Sequence, residues 1–284
     1  MSSSFVEIEW RGKRVRIEHA FIAPTLRQAQ GERDSGAPLL VFLHEGLGSL
    51  AMWRDFPQAL CDAAGVRGLV WSRPGYGRST PRAAEEAWGL DFMHRQAHEV
   101  LPALLAALGV AEPVWLFGHS DGGSIALLHA AKFSERTAGA IVLAPHILVE
   151  DLSVASIAKA KTAYETTDLK QRLAKYHDDP DSAFWGWNRI WLHPPFKQWS
   201  IEDEIASIAC PLLAVQNLDD KYNTLKQIHG IARRVPQTEL LELPQCGHSP
   251  HRDQADAVIA AISFFMKAPF NKGYEHVLSE SRLH

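Results

Sequence analysis

Gly118-His119-Ser120-Asp121-Gly122 is the stretch on which the reading of this chain turns. It directly follows Val114 to Phe117, an apolar run with strand character, and Gly123 to Lys132 behind it reads as a helix. Glycines two before and two after a serine permit a sharp strand-to-helix turn. Larger side chains would crowd such a turn, and the turn lifts the serine oxygen into the open. Ser120 is therefore a candidate nucleophile, and the element before it a strand whose C-terminal end carries chemistry.

Outward from this turn the chain alternates. Leu39 to Leu43, Leu69 to Trp71, Ala140 to Leu143, Leu212 to Val215 and Leu240 to Leu243 are compact, mostly branched-chain runs of the kind that parallel strands bury on both faces. Phe5 to Trp10 and Arg14 to Ile22 read as a starting hairpin. Between strands, Ala97, Val100, Leu101, Leu104, Leu105 and Leu108 fall on one helical face, with a kink expected at Pro102. Alternating strands and helices imply an α/β fold with a doubly wound sheet. A polar loop is expected from Thr25 to Pro38.

The alternation breaks once. Residues 146–207 contain no strand run, are helix-like at Ile157 to Tyr164 and Leu169 to His177, and then carry Trp185, Trp187, Trp191, Phe196 and Trp199. So long an excursion between strands reads as an inserted helical cap, leaving residues 1–145 and 208–284 as the core.

Composition excludes several classes. The 284 residues are 46% hydrophobic and 22% charged, which suits a globular chain of one large or two ordinary domains. A net charge of −4 without a basic face argues against nucleic acid. The three cysteines, Cys61, Cys210 and Cys246, are far apart and odd in number, so neither a disulfide framework nor a zinc site is suggested and a reducing, cytoplasmic compartment is expected. No apolar run is long enough for a membrane span, and the N-terminus lacks the pattern of a secretory signal. The expected partner is a small-molecule substrate, with neither membrane nor nucleic acid. A homodimer is compatible with the composition.

A serine hydroxyl is a weak nucleophile near neutral pH and needs a base, which in turn needs a carboxylate to fix its tautomer. Both lie downstream. The strand from Leu212 runs into Asp219-Asp220, and the last strand runs into Gly247-His248, giving the chain order serine, aspartate, histidine. Asp220 is favoured over Asp219, which could instead face solvent or cap a helix. If neither serves, Glu150 or Asp151 after the sixth strand becomes the candidate. His248, His251 and Asp253 lack metal-site spacing, so no metal and no cofactor are expected.

His44-Glu45-Gly46-Leu47-Gly48, Arg73-Pro74-Gly75-Tyr76-Gly77-Arg78-Ser79, the Ser120 turn with Gly123, Asp219-Asp220 and Gly247-His248 together resemble the α/β-hydrolase superfamily. The resemblance implies an eight-stranded, mostly parallel sheet with helices on both faces, a helical cap after the sixth strand, and a triad of Ser120, Asp220 and His248. It also implies an oxyanion hole, with one backbone N–H from Asp121 and another from the loop after the third strand. That loop has Glu45 where the family usually has glycine. The donor is then Glu45 or Gly46, with Gly46 preferred. A carboxylate there would repel an anion unless paired or turned away, and would favour the imidazolium of His248. Alternatively Glu45 is a surface residue bonded to an arginine such as Arg73.

Serine at the turn argues against epoxide hydrolases and haloalkane dehalogenases, which carry aspartate there. Carbon–carbon bond hydrolases of ring-cleavage products keep serine but usually have asparagine before it and tryptophan after the final histidine, where this chain has His119 and Ser249. The expectation is a serine hydrolase of an ester or thioester with an aromatic or medium acyl group. Carbon–carbon hydrolysis, lactone hydrolysis and acyl transfer are alternatives, and a ligand sensor on the same fold is the non-enzyme one. Substrate-facing candidates are His146, Trp185, Trp187 and Trp191.

Overall fold

The computed structural model describes residues 2–25 and 36–268, so most of the loop expected after the hairpin, residues 26–35, lies outside the described residues. Eight strands form one sheet in the order β1-β2-β4-β3-β5-β6-β7-β8. They are β1 (Ser4–Trp10), β2 (Lys13–Ile22), β3 (Leu39–Leu43), β4 (Arg67–Trp71), β5 (Val114–His119), β6 (Thr137–Leu143), β7 (Leu212–Asn217) and β8 (Thr238–Leu243). Only β1 to β2 and β2 to β4 pair antiparallel. The rest are parallel.

Strand periodicity sorts the core into two layers. Leu39, Val41 and Leu43 point into one apolar cluster and Leu40 and Phe42 into the other, because successive side chains leave a strand on opposite faces. The first cluster receives α2 (Phe92–Arg95), α3 (Leu101–Ala107), α4 (Asp121–Lys132) and α8 (Lys226–Arg234). The second receives α1 (Phe56–Ala64) and α10 (Ala255–Lys267). Helix α1 stops at Gly65, whose φ of 72° lets its N–H fold back to the Cys61 carbonyl at 2.9 Å.

Between α2 and α3 the chain makes a π-helical turn, Gln96–Val100. Pro102 offers no N–H to the His98 carbonyl, and widening the preceding turn absorbs the lost bond where the sequence suggested a simple kink. Between β6 and β7 lie α5 (Asp151–Thr166), α6 (Leu169–Leu173) and α7 (Pro180–Trp191), followed by two short 3₁₀ turns. Beyond β8, Pro250–Asp253 forms α9. Among the described residues no helix is long and apolar enough to cross a membrane.

Candidate active site

The turns after β3, β5, β6, β7 and β8 all open at the C-terminal edge of the parallel strands, where doubly wound sheets place their ligands. Ser120 sits between β5 and α4 with φ 54° and ψ −121°, a left-handed conformation that a non-glycine residue adopts only under constraint. The constraint is visible. Ser120 N–H donates to the Leu143 carbonyl at 2.9 Å, and its own carbonyl accepts from Gly123 N–H at 2.8 Å. A Cβ on Gly118 would strike the Gly122 carbonyl, and one on Gly122 would strike the Leu43 carbonyl, so both glycines are required by close backbone approach.

His248 Nε2 lies 3.0 Å from Ser120 Oγ, and its Nδ1 lies 2.8 Å from Asp220 Oδ2. Asp220 is fixed in turn by Tyr222 N–H and Gln216 Nε2, each donating at 2.8 Å. Burial works against the Asp220 charge, but His248 and these donors outweigh it and hold the carboxyl below its ordinary value. Asp219 is exposed and, among the described residues, accepts only from Gln245 N–H at 3.2 Å. Glu150 accepts from Thr224 and Gln227, and Asp151 pairs with Lys197, so neither alternative carboxylate reaches His248. Burial lowers the His248 value, and Asp220 only partly restores it.

Gln216 behind Asp220, and Tyr222, its ring tilted against that of His248 with centroids 4.6 Å apart, are functional neighbours that the sequence reading does not pick out. The signal for each is its place beside the acid, four residues before it and two after it.

The loop after β3 closes as a turn from Glu45 to Gly48, with Gly48 N–H donating to the Glu45 carbonyl at 3.0 Å. That bond uses neither the Gly46 nor the Leu47 N–H. Arg73, almost wholly buried, holds the same Glu45 carbonyl through Nη2 at 2.8 Å. His44 accepts from Arg73 N–H at Nε2, 3.1 Å, which leaves its Nδ1–H for the Glu45 carbonyl at 2.8 Å. A Cβ on Gly46 would run into the Trp187 indole. Asp121 N–H, in the first turn of α4, has no acceptor within the helix.

One expectation about Glu45 is corrected here. Its carboxylate does not pair with Arg73, which takes the carbonyl instead. The side chain folds back over Gly48 and meets Arg252 at 3.4 Å and His119 at 3.6 Å. Burial raises the Glu45 value, but His119 and Arg252 outweigh it and keep the carboxyl well below its ordinary range. The expected upward push on His248 is present, yet it is a lesser influence than burial, and the net shift is downward.

The cap side chains divide. Trp191 donates from Nε1 to Asp121 Oδ1 at 3.2 Å and sets its ring 4.8 Å from that of His146. Burial raises the Asp121 carboxyl to about 6. Trp187 presses on Gly46. Trp185 instead packs on Tyr164, Phe184 and Arg189 within the cap, because its place on α7 turns it away from the face carrying Trp187 and Trp191. It is not assembled with the other candidates. His146 is, with Nε2 3.4 Å from Ser120 Oγ. His119 points behind the site, its Nε2–H donating to the His248 carbonyl at 2.7 Å.

The model of the "Alpha/beta hydrolase family" matches residues 40–261. Among curated proteins, the chain is 25% identical over 247 residues to a 2-hydroxy-6-oxo-6-phenylhexa-2,4-dienoate hydrolase of Burkholderia cepacia, covering 77% of this chain and 84% of the relative. Among solved structures it superimposes on a thermophilic esterase from Thermogutta terrifontis with a TM-score of 0.69 at 18% identity, covering 94% of this chain and 98% of the other. It matches an enol-lactonase from Burkholderia xenovorans LB400 with a TM-score of 0.67 at 19% identity, covering 89% and 97%.

Proposed function

The chain belongs to the alpha/beta hydrolase family, and from that premise we propose a carboxylic ester hydrolase that cleaves an ester or thioester of a small aromatic or medium-chain acyl group through an acyl-enzyme on Ser120. The observation that carries this reading is the line of contacts from Ser120 Oγ to His248 Nε2, 3.0 Å, and from His248 Nδ1 to Asp220, 2.8 Å. In acylation His248 takes the hydroxyl proton as Oγ bonds to the acyl carbon, then gives that proton to the leaving oxygen or sulfur as its bond breaks. Water repeats the sequence on the acyl-enzyme, and Ser120 recovers its proton from His248. The N–H groups of Asp121 and Gly46 are the donors for the oxyanion, and Arg73 and His44 stiffen the Gly46 turn by holding the Glu45 carbonyl.

A second reading rests on the Burkholderia cepacia relative. Its named substrate holds a ketone and no ester, so hydrolysis there cuts a carbon–carbon bond. Against that reading, His119 is turned behind the site, and Ser249 stands where those enzymes usually carry tryptophan. Three unpaired, buried cysteines support work in a reducing cytoplasm. The test is a panel of aryl esters, acyl-CoA thioesters, lactones and vinylogous diketones, with products identified by mass spectrometry. Turnover of esters or thioesters at least tenfold above the diketones supports the first reading, the reverse order supports the second, and binding without turnover supports a sensor.

A further inference from the structure

We infer that His146 is a second catalytic imidazole, which donates a hydrogen bond from Nε2 to Ser120 Oγ whenever that oxygen carries negative charge. The inference rests on the acyl-enzyme reading above. It starts from the backbone. The turn after β6 passes through Ala144 at φ 46°, and side chains from three directions tie it down. Asn223 donates to the carbonyls of Ala144 at 3.1 Å and Pro145 at 2.9 Å, and Gln227 accepts from Ile147 N–H at 2.7 Å. Ser124, on the helix that Ser120 opens, accepts from His146 N–H at 3.1 Å and donates to the His146 carbonyl at 2.6 Å. A strained turn held this thoroughly fixes where its side chain points. Trp191 braces the ring from the cap.

The tautomer follows from counting partners. His146 is 2% exposed, its Nδ1 is buried without a partner among the described residues, and its Nε2 faces Ser120 Oγ at 3.4 Å. With the proton on Nδ1, a buried N–H would lack an acceptor, and the bare Nε2 would compete with His248 for the single hydroxyl proton. With the proton on Nε2, one weak acceptor alone goes unpaired, and Ser120 donates to His248 while accepting from His146. Burial, with His248 acting in the same direction, lowers the His146 value to about 3, so the ring is neutral at working pH. It therefore transfers no proton. Its N–H stabilises Oγ as the hydroxyl loses its proton to His248 in acylation, and again as the Oγ–acyl bond breaks in deacylation before His248 returns the proton. Donor geometry that is long at rest tightens as charge develops.

The substitutions that discriminate are isosteric amides. A glutamine amide nitrogen reaches the position of Nε2, whereas an asparagine amide nitrogen reaches only that of Nδ1. With p-nitrophenyl butanoate as probe, the stopped-flow burst reports acylation and the steady state reports deacylation. Loss of one donor to a developing oxyanion costs roughly 10²-fold. His146→Asn should therefore slow both the burst and the steady state about 10²-fold. His146→Gln should stay within about tenfold of wild type, at similar melting temperature. Equal losses in the two variants would assign His146 a purely packing role and overturn the inference, as would an unchanged deacylation rate in His146→Asn. A wild-type chain that forms no Ser120 adduct with either the ester or a fluorophosphonate would overturn the serine-hydrolase reading, and this inference with it.

Discussion

Replacing Asp220 by asparagine removes one charge and reverses one hydrogen bond at the base of the proposed triad. The side chain of Asp220 has no exposure and serves three donors, His248 Nδ1, Tyr222 N–H and Gln216 Nε2, each at 2.8 Å. Tyr222 addresses Oδ1 and Gln216 addresses Oδ2, while His248 spans both oxygens. Whichever way the amide sits, its NH₂ meets a donor, and the arrangement that suits His248 best drives its proton from Nδ1 to Nε2. His248 then presents an N–H to Ser120 and cannot act as base. Loss of roughly 10⁴ in turnover is expected, about 5 kcal/mol of transition-state stabilisation. Turnover of p-nitrophenyl butanoate measures it, and thermal melting checks the fold. Asp219→Asn, which keeps an oxygen able to accept the 3.2 Å bond from Gln245 N–H, should remain within about twofold. Asp220→Asn with more than a tenth of wild-type turnover, or Asp219→Asn as the inactive variant, would refute the assignment.

The proton-transfer chemistry predicts that kcat/KM rises with pH along a single limb whose midpoint lies below the ordinary imidazole value of 6.5, since burial lowers His248. Glu45→Gln removes a charge that raises the His248 value and should move that midpoint lower still. An unmoved limb would mean that Glu45 exerts no field at the base. Gly46→Ala forces a methyl into the buried Trp187 indole, so kcat should fall by about 10² as the donor turn shifts, with the melting temperature lowered as the ring gives way; unimpaired turnover would remove Gly46 from the oxyanion hole. Among the described residues seven histidines resist protonation in the fold, His44 and His251 strongly, His129 down to about 4, His146 to about 3, and His98, His177 and His248 in the same direction. The unfolded chain takes up those protons below about 6.5, so their contribution is complete above that pH and lost as pH falls toward 4. Asp121, raised to about 6, and Glu239, also raised by burial, oppose the trend as two groups against seven. Melting temperature should decline steadily from pH 7 to 5, and a flat profile would contradict the burial of neutral rings.

The sheet and the turn at Ser120 were legible because local rules govern them. Branched-chain runs of strand length, and two glycines around a serine, leave few alternatives for the backbone. The order of Ser120, Asp220 and His248 was legible for the same reason, each closing a recognisable strand. What escaped was set by tertiary packing. Arg73 looked like a partner for the Glu45 carboxylate, but the backbone carbonyl of Glu45 was the stronger claim on a buried guanidinium. His119 read as one residue of a motif, yet its ring supports the His248 carbonyl across 129 residues of chain. Trp185, Trp187 and Trp191 are alike in composition, and only the angle of α7 against the core separates the one that packs within the cap from the two that reach Gly46 and Asp121.

The central claim is that Ser120 is an activated nucleophile, and covalent labelling addresses it without knowledge of the substrate. Treated with a fluorophosphonate at neutral pH, the protein should gain one adduct by intact-mass analysis. Peptide mapping should place that adduct on Ser120, and Ser120→Ala should gain none. An adduct on any other residue, or full labelling of Ser120→Ala, would contradict the account.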